Sequence, residues 1–109
     1  MIIAELVLEG GLLKSCAIRG HAGAGPKGSD IVCAAVSVLS RTVYKVLSER
    51  EGITVRSSAP NRGDFFLEVS CDGNPENRDF LDGAGAFLIE GLVSVSKEFP
   101  DFCKVSLKE

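Results

Sequence analysis

The sequence predicts an α/β fold of the α+β type: a two-layer sandwich in which two main helices cover a mostly antiparallel sheet, in the order ββαββαβ. Three observations predict it. Two pairs of alternating apolar segments are each joined by a turn signal, which makes hairpins rather than a strand-helix-strand alternation throughout. Two longer segments carry apolar residues at three- and four-residue steps, the helical period. A last short alternating segment follows Pro100.

Ile2–Glu9 sets Ile2, Ala4, Leu6 and Leu8 against Ile3, Glu5, Val7 and Glu9, a strand with one apolar and one mixed face. Gly10-Gly11 is a two-residue hairpin signal. Leu12–Arg19 is the return strand, with Leu12, Lys14, Cys16 and Ile18 expected on one face and Leu13, Ser15, Ala17 and Arg19 on the other. Gly20, Gly23, Gly25 and Gly28, with Pro26 among them, then predict a mobile loop, since glycine loses most entropy when fixed and proline lacks a donor. Ser29 and Asp30 offer capping oxygens, so a helix is expected over about residues 30 to 49 or 50, closed by Gly52. Its core face would hold Val32, Ala35, Val36, Leu39, Val43, Val46 and Leu47. A second stripe, Cys33, Ser37, Ser40, Arg41 and Tyr44, places Cys33 in the first turn with Ser37 one turn on.

Residues 53–57 alternate as a strand, residues 60–64 turn, and Phe65–Cys71 returns as the second hairpin arm. Asp72-Gly73-Asn74-Pro75 breaks that arm. A second helix is expected over about residues 76–97, with Phe80, Leu81, Ala84, Phe87, Leu88, Leu92 and Val95 inward. Gly83, Gly85 and Gly91 predict that this helix is kinked, interrupted or closely packed. Residues 102–107 form the last strand.

At 109 residues and 45% hydrophobic content, residues 1–109 form one domain, large enough to bury about two-thirds of the surface of its unfolded chain. A net charge of -3, with both signs mixed along the chain, argues against direct nucleic-acid binding and suits a basic protein partner. Met1 is followed by no basic segment, cleavage site or apolar run of membrane-spanning length, which predicts a cytoplasmic protein with no membrane association. Cys16, Cys33, Cys71 and Cys103 lack Cys-x-x-Cys spacing, and a single histidine completes no usual zinc pattern. Free thiols and no metal or cofactor are expected, with Cys16, Cys71 and Cys103 acting as small hydrophobes on strands.

Cys33 and His21 are the candidates for chemistry. The unpaired amides and dipole of a helix N-terminus favour a thiolate, and they could stabilise an oxyanion as well. His21, in the glycine loop eleven residues upstream, could fold back to accept the thiol proton or supply an imidazolium. Asp30 caps the helix or orients His21, and Ser37 bonds back to a carbonyl or contacts substrate. Two other readings compete. A glycine-rich loop entering a helix can cradle an anion, although Pro26 stands where a Walker loop has its lysine and no Ser or Thr follows Lys27. The chain could also be a noncatalytic adaptor that holds a protein partner without cutting it.

Gly20-His21-Ala22, the glycine-rich spacer, and Asp30-Ile31-Val32-Cys33-Ala34-Ala35-Val36-Ser37 together resemble the bacterial ribosomal-processing cysteine proteases, the Prp family. The resemblance implies a homodimeric cysteine endopeptidase with an α/β fold. Its substrate would be the basic twenty-seventh protein of the large ribosomal subunit, from which it removes a short N-terminal extension after an aromatic pair. Cys33 then matches the nucleophile and His21 the catalytic histidine, with Asp30 and Ser37 at supporting motif positions. The loop bearing Gly20, Gly23, Gly25 and Gly28 would order around substrate. On the same resemblance the noncatalytic alternative would be a ribosome-assembly adaptor that holds a ribosomal protein without cutting it.

Overall fold

A computed structural model describes residues 1–20, 27–60 and 63–109, and of residues 27–30 the backbone alone. Its elements are β1 (Ile2–Glu9), β2 (Leu12–Arg19), α1 (Lys27–Ser48), β3 (Ile53–Ser58), β4 (Phe65–Cys71), α2 (Pro75–Glu98) and β5 (Cys103–Lys108), the predicted ββαββαβ order. They form one sheet in the order β3-β4-β2-β1-β5. Three of the four pairings are antiparallel, and β5 returns beside β1 in parallel after the α2 crossover.

Gly10 and Gly11 both have positive φ, 59° and 81°, which is the backbone of the turn whose twist suits a tight hairpin. The register of β1 on β2 runs Ala4↔Ile18 and Leu6↔Cys16, then slips so that Leu8 faces Leu13. That bulge corrects the strict alternation expected for β2. Leu13 is buried with Cys16 and Ile18, while Lys14 is exposed and Leu12 only half-buried. One extra residue reverses the side-chain parity beyond it, and the reversal spares the sheet a buried lysine.

Helix α1 also begins earlier than expected. Its first residue is Lys27, so Ser29 and Asp30 are its third and fourth residues rather than caps, and Gly28 belongs to the helix rather than to the loop. A glycine inside a helix costs only about 1 kcal/mol, so Gly28 does not hold the start back to residue 30. Cys33 is accordingly in the second turn.

The window Ile31–Ser48, of mean hydropathy 1.5, has the length and composition of a membrane span, contrary to the expectation that no such run exists. In the fold only 28% of that window is buried, one face of the helix carrying Val32, Val36, Ser40, Val43 and Leu47 inward. Val46 of α1 and Phe87 of α2, both expected inward, are 38% and 61% exposed. Each helix buries a narrower stripe than its apolar residues would fill: on α2 it is Asn77, Leu81, Gly85, Leu88 and Leu92.

Asn74 caps α2, its side chain accepting from the Glu76 amide at 2.9 Å, with Pro75 at the first helical position. The helix runs uninterrupted through its three glycines. Two of them mark close packing: a Cβ at Gly85 would lie 3.0 Å from Leu13 Cβ, and one at Gly91 only 2.7 Å from Leu39 Cδ2.

Candidate active site

Cys33 is positioned by the way α1 is wedged into the fold. Val32, Val36, Val43 and Leu47 face the sheet, and Leu39 rests on Gly91 of α2. At 100° per residue, Cys33, Ser40 and Tyr44 then fall on the opposite flank from Leu39. Since α1 packs over β3 while α2 packs over β2 and β5, that flank is turned toward the β3 edge of the sheet.

The predicted stripe of Cys33, Ser37, Ser40, Arg41 and Tyr44 is therefore a boundary between core and solvent. Cys33 is half-buried and packed against the core cluster, Tyr44 is half-buried, and Ser37 and Arg41 are exposed. Ser40 is buried, and its hydroxyl donates to the carbonyls of Val36 at 2.9 Å and Ser37 at 3.3 Å. Ser40 is thus satisfied within its own helix, whereas the Ser37 side chain is open to solvent one turn from the thiol.

The four unpaired amides of a helix belong to its first turn, and its dipole acts over little more. With α1 starting at Lys27, Cys33 lies beyond them, so the expected stabilisation by the helix end is not available at its own amide. His21, Gly23, Gly25 and the side chain of Asp30 lie outside the described residues.

Where the histidine-bearing segment leaves β2, Gly20 is held on two sides. Its φ is +91°, and a Cβ there would run into the carbonyl oxygen of Met1. Its amide donates to the Asp64 carboxylate at 3.5 Å. The first residue after β2 is thereby tied to the sheet, while residues 21–26 of the expected mobile loop lie outside the described residues. Asp64 itself was legible only as part of a turn. The pairing Ile18↔Phe65 brings it beside Gly20, and that pairing is a tertiary fact.

Burial separates the thiols. The Cys16 thiol is pushed up to about 12 by loss of solvent, and burial raises Cys103 as well. Both are poor nucleophiles at neutral pH. Cys71, half-buried, donates from Sγ to the Asp72 carbonyl at 3.1 Å at the far end of β4.

Open clefts of about 630 Å³ and 350 Å³ also lie at that far end, lined in part by Arg50 and Asn77 and by Lys14 and Arg78. Neither includes Cys33. Among the described residues, no group of three or more His, Cys, Asp or Glu side chains is arranged to hold a metal.

Residues 1–104 match the family model described as cysteine protease Prp. The structure of SMU.848 from Streptococcus mutans is similar at 27% identity and TM-score 0.82, covering 99% of this chain and 94% of that one. The essential ribosomal processing protease Prp from S. aureus, in complex with a substrate peptide, is similar in fold at 17% identity and TM-score 0.82, over 99% of this chain and 100% of that one. Its complex with a covalently linked product peptide is similar at 20% identity and TM-score 0.78, with the same coverage. No match was found among curated proteins.

Proposed function

Since the chain belongs to the Prp family of cysteine proteases, we propose that it removes the N-terminal extension of the twenty-seventh large-subunit ribosomal protein before that protein is assembled, using Cys33 and His21. The observation that carries this reading is the position of Cys33. Of the two half-buried thiols, Cys33 and Cys71, it is the one at the end of the sheet where the His21 segment leaves β2.

In the proposed reaction, His21 takes the proton of the Cys33 thiol, and the thiolate attacks the scissile carbonyl. His21 returns the proton to the leaving amine, and water then releases the acyl group from sulfur. Cys33 lies beyond the first turn of α1, so the imidazole carries more of the activation than the helix dipole does. Ser37, exposed one turn away, is a substrate contact in this reading, and Asp30 supports His21. Gly23 and Gly25 belong to the segment that orders around the substrate. The protein works in the cytoplasm without cofactor, nucleic acid or membrane. It acts as a single-domain homodimer, and exposed Ile31 and Val38 on α1, at 56% and 64%, supply an apolar strip suited to a second copy.

The test is the intact mass of the host's own extended ribosomal protein after incubation with the wild type, Cys33→Ala and His21→Ala. A shortened product with the wild type and with neither variant is the expected result. An unchanged mass with folded, reduced enzyme overturns the processing assignment. If Cys33→Ala and wild type then bind the ribosomal protein alike, the noncatalytic adaptor takes its place.

A further inference from the structure

We propose that the free edge of β3 is the substrate-binding edge of this protease, and that an extended peptide adds to it as a sixth strand and so passes the Cys33 thiol. The proposal rests on the processing reading above and specifies how the substrate is held.

Three observations converge on it. First, β3 is an outermost strand, and no segment among the described residues pairs with its far side. The direction of its free groups follows from the ladder. The Asp72 amide donates to the Gly52 carbonyl at 2.9 Å, so even-numbered residues of β3 turn their backbone groups to β4. The odd-numbered ones turn outward. Ile53 is already used, its amide donating to the Arg50 carbonyl at 3.2 Å, which leaves Val55 and Ser57 presenting N–H and C=O at the edge.

Second, the thiol lies at the right height. α1 and β3 are joined by a tight turn through Gly52 and run in opposite directions. From Ser48 back to Cys33 the helix rises about 22 Å at 1.5 Å per residue. From Ile53 to Ser58 the strand rises about 17 Å. Cys33 therefore lies at the C-terminal end of β3, about 5 Å beyond Ser58 along the strand direction.

Third, the thiol is on the right side. The seat of Leu39 on Gly91 turns the Leu39 flank of α1 toward α2 and the Cys33 flank toward the β3 edge, together with Tyr44 and the exposed Ser37. An endopeptidase must hold its substrate extended to expose one peptide bond, and an open ladder beside the nucleophile meets that need with main-chain hydrogen bonds.

The experiment uses a synthetic peptide spanning the cut site of the host's extended ribosomal protein, N-methylated at one backbone amide at a time. Because only alternate residues of a strand face its neighbour, the expected result is period two. Methylation at every second position lowers wild-type kcat/KM roughly fivefold to tenfold through KM, and the positions between are tolerated. Binding of the same peptides to Cys33→Ala shows the same alternation. Ser57→Pro removes one outward N–H without touching the β4 ladder, and it raises KM while the alkylation rate of Cys33 by iodoacetamide stays at the wild-type value.

Cleavage of the unmodified peptide with no alternation in either assay overturns the edge proposal and leaves the processing assignment standing. Alternating affinity without cleavage overturns processing and sustains the edge. A peptide that is neither cut nor bound removes both.

Discussion

Leu39 of α1 sits over Gly91 of α2 so closely that a Cβ on Gly91 would lie 2.7 Å from Leu39 Cδ2. That seat fixes the roll of α1 about its own axis, and the roll decides which flank carries Cys33.

Gly91→Val should therefore damage both stability and catalysis. Overpacking a closed interface costs about 1–3 kcal/mol, and relief requires α1 to turn or lift. The expected outcome is a lower midpoint in urea and a fall in kcat/KM larger than the unfolded fraction explains, read by denaturation and peptide cleavage on the same preparation.

Gly20→Ala should be worse at the catalytic end than its small size suggests. The φ of +91° is strained for any L-residue, and the added methyl meets the Met1 carbonyl oxygen, a backbone atom without rotamers to escape into. A loss of about 2 kcal/mol is expected, with activity falling further because the His21 segment starts from this residue. Thermal unfolding and kcat separate the two effects.

Asn77 holds the opposite end. It is 5% exposed, donates to the Glu51 carbonyl and the Asp72 carboxylate, both at 3.0 Å, and accepts from Arg50 Nε at 2.7 Å. Asn77→Ala leaves these partners unsatisfied next to the α1–β3 turn and should cost about 2 kcal/mol. Arg50 also lies 4.4 Å over the Phe80 ring, so Phe80→Leu in the same background tests whether the two contacts are coupled. Cleavage by the Asn77→Ala protein that remains folded should be near wild type, since Cys33 is at the other end of the sheet.

Alkaline pH should unfold the protein partly through Cys16. Burial pushes its thiol up to about 12 in the folded chain, from an ordinary 9.0. Above pH 9 the unfolded chain loses this proton while the folded chain keeps it, so stability is unaffected below pH 9 and falls between pH 9 and 12. At pH 10 the loss is about 1.4 kcal/mol. Urea unfolding at pH 8 and pH 10 should show a drop in the wild type that is smaller by that amount in Cys16→Ala. Under native conditions, iodoacetamide should label Cys33 and Cys71 and spare Cys16 and Cys103.

The chain by itself determined the order of elements, β1, β2 and β4 to the residue, and the resemblance to the family whose model matches residues 1–104, because these depend on local signals: alternation, helical spacing, paired glycines and motif spacing. It misplaced the parity of β2 beyond Leu13, the start of α1, and the exposed Val46 and Phe87. A bulge, a helix extended through Gly28 and the width of a buried stripe are settled by what packs against them.

Only the tertiary structure decided that Asp64 stands beside Gly20, that Cys71 stays half-buried while Cys16 and Cys103 are sealed as expected, and that Cys33 overlooks the β3 edge. Each is a relation between residues far apart in sequence. The strand register and the seat of Leu39 on Gly91 create them, and no local pattern contains either.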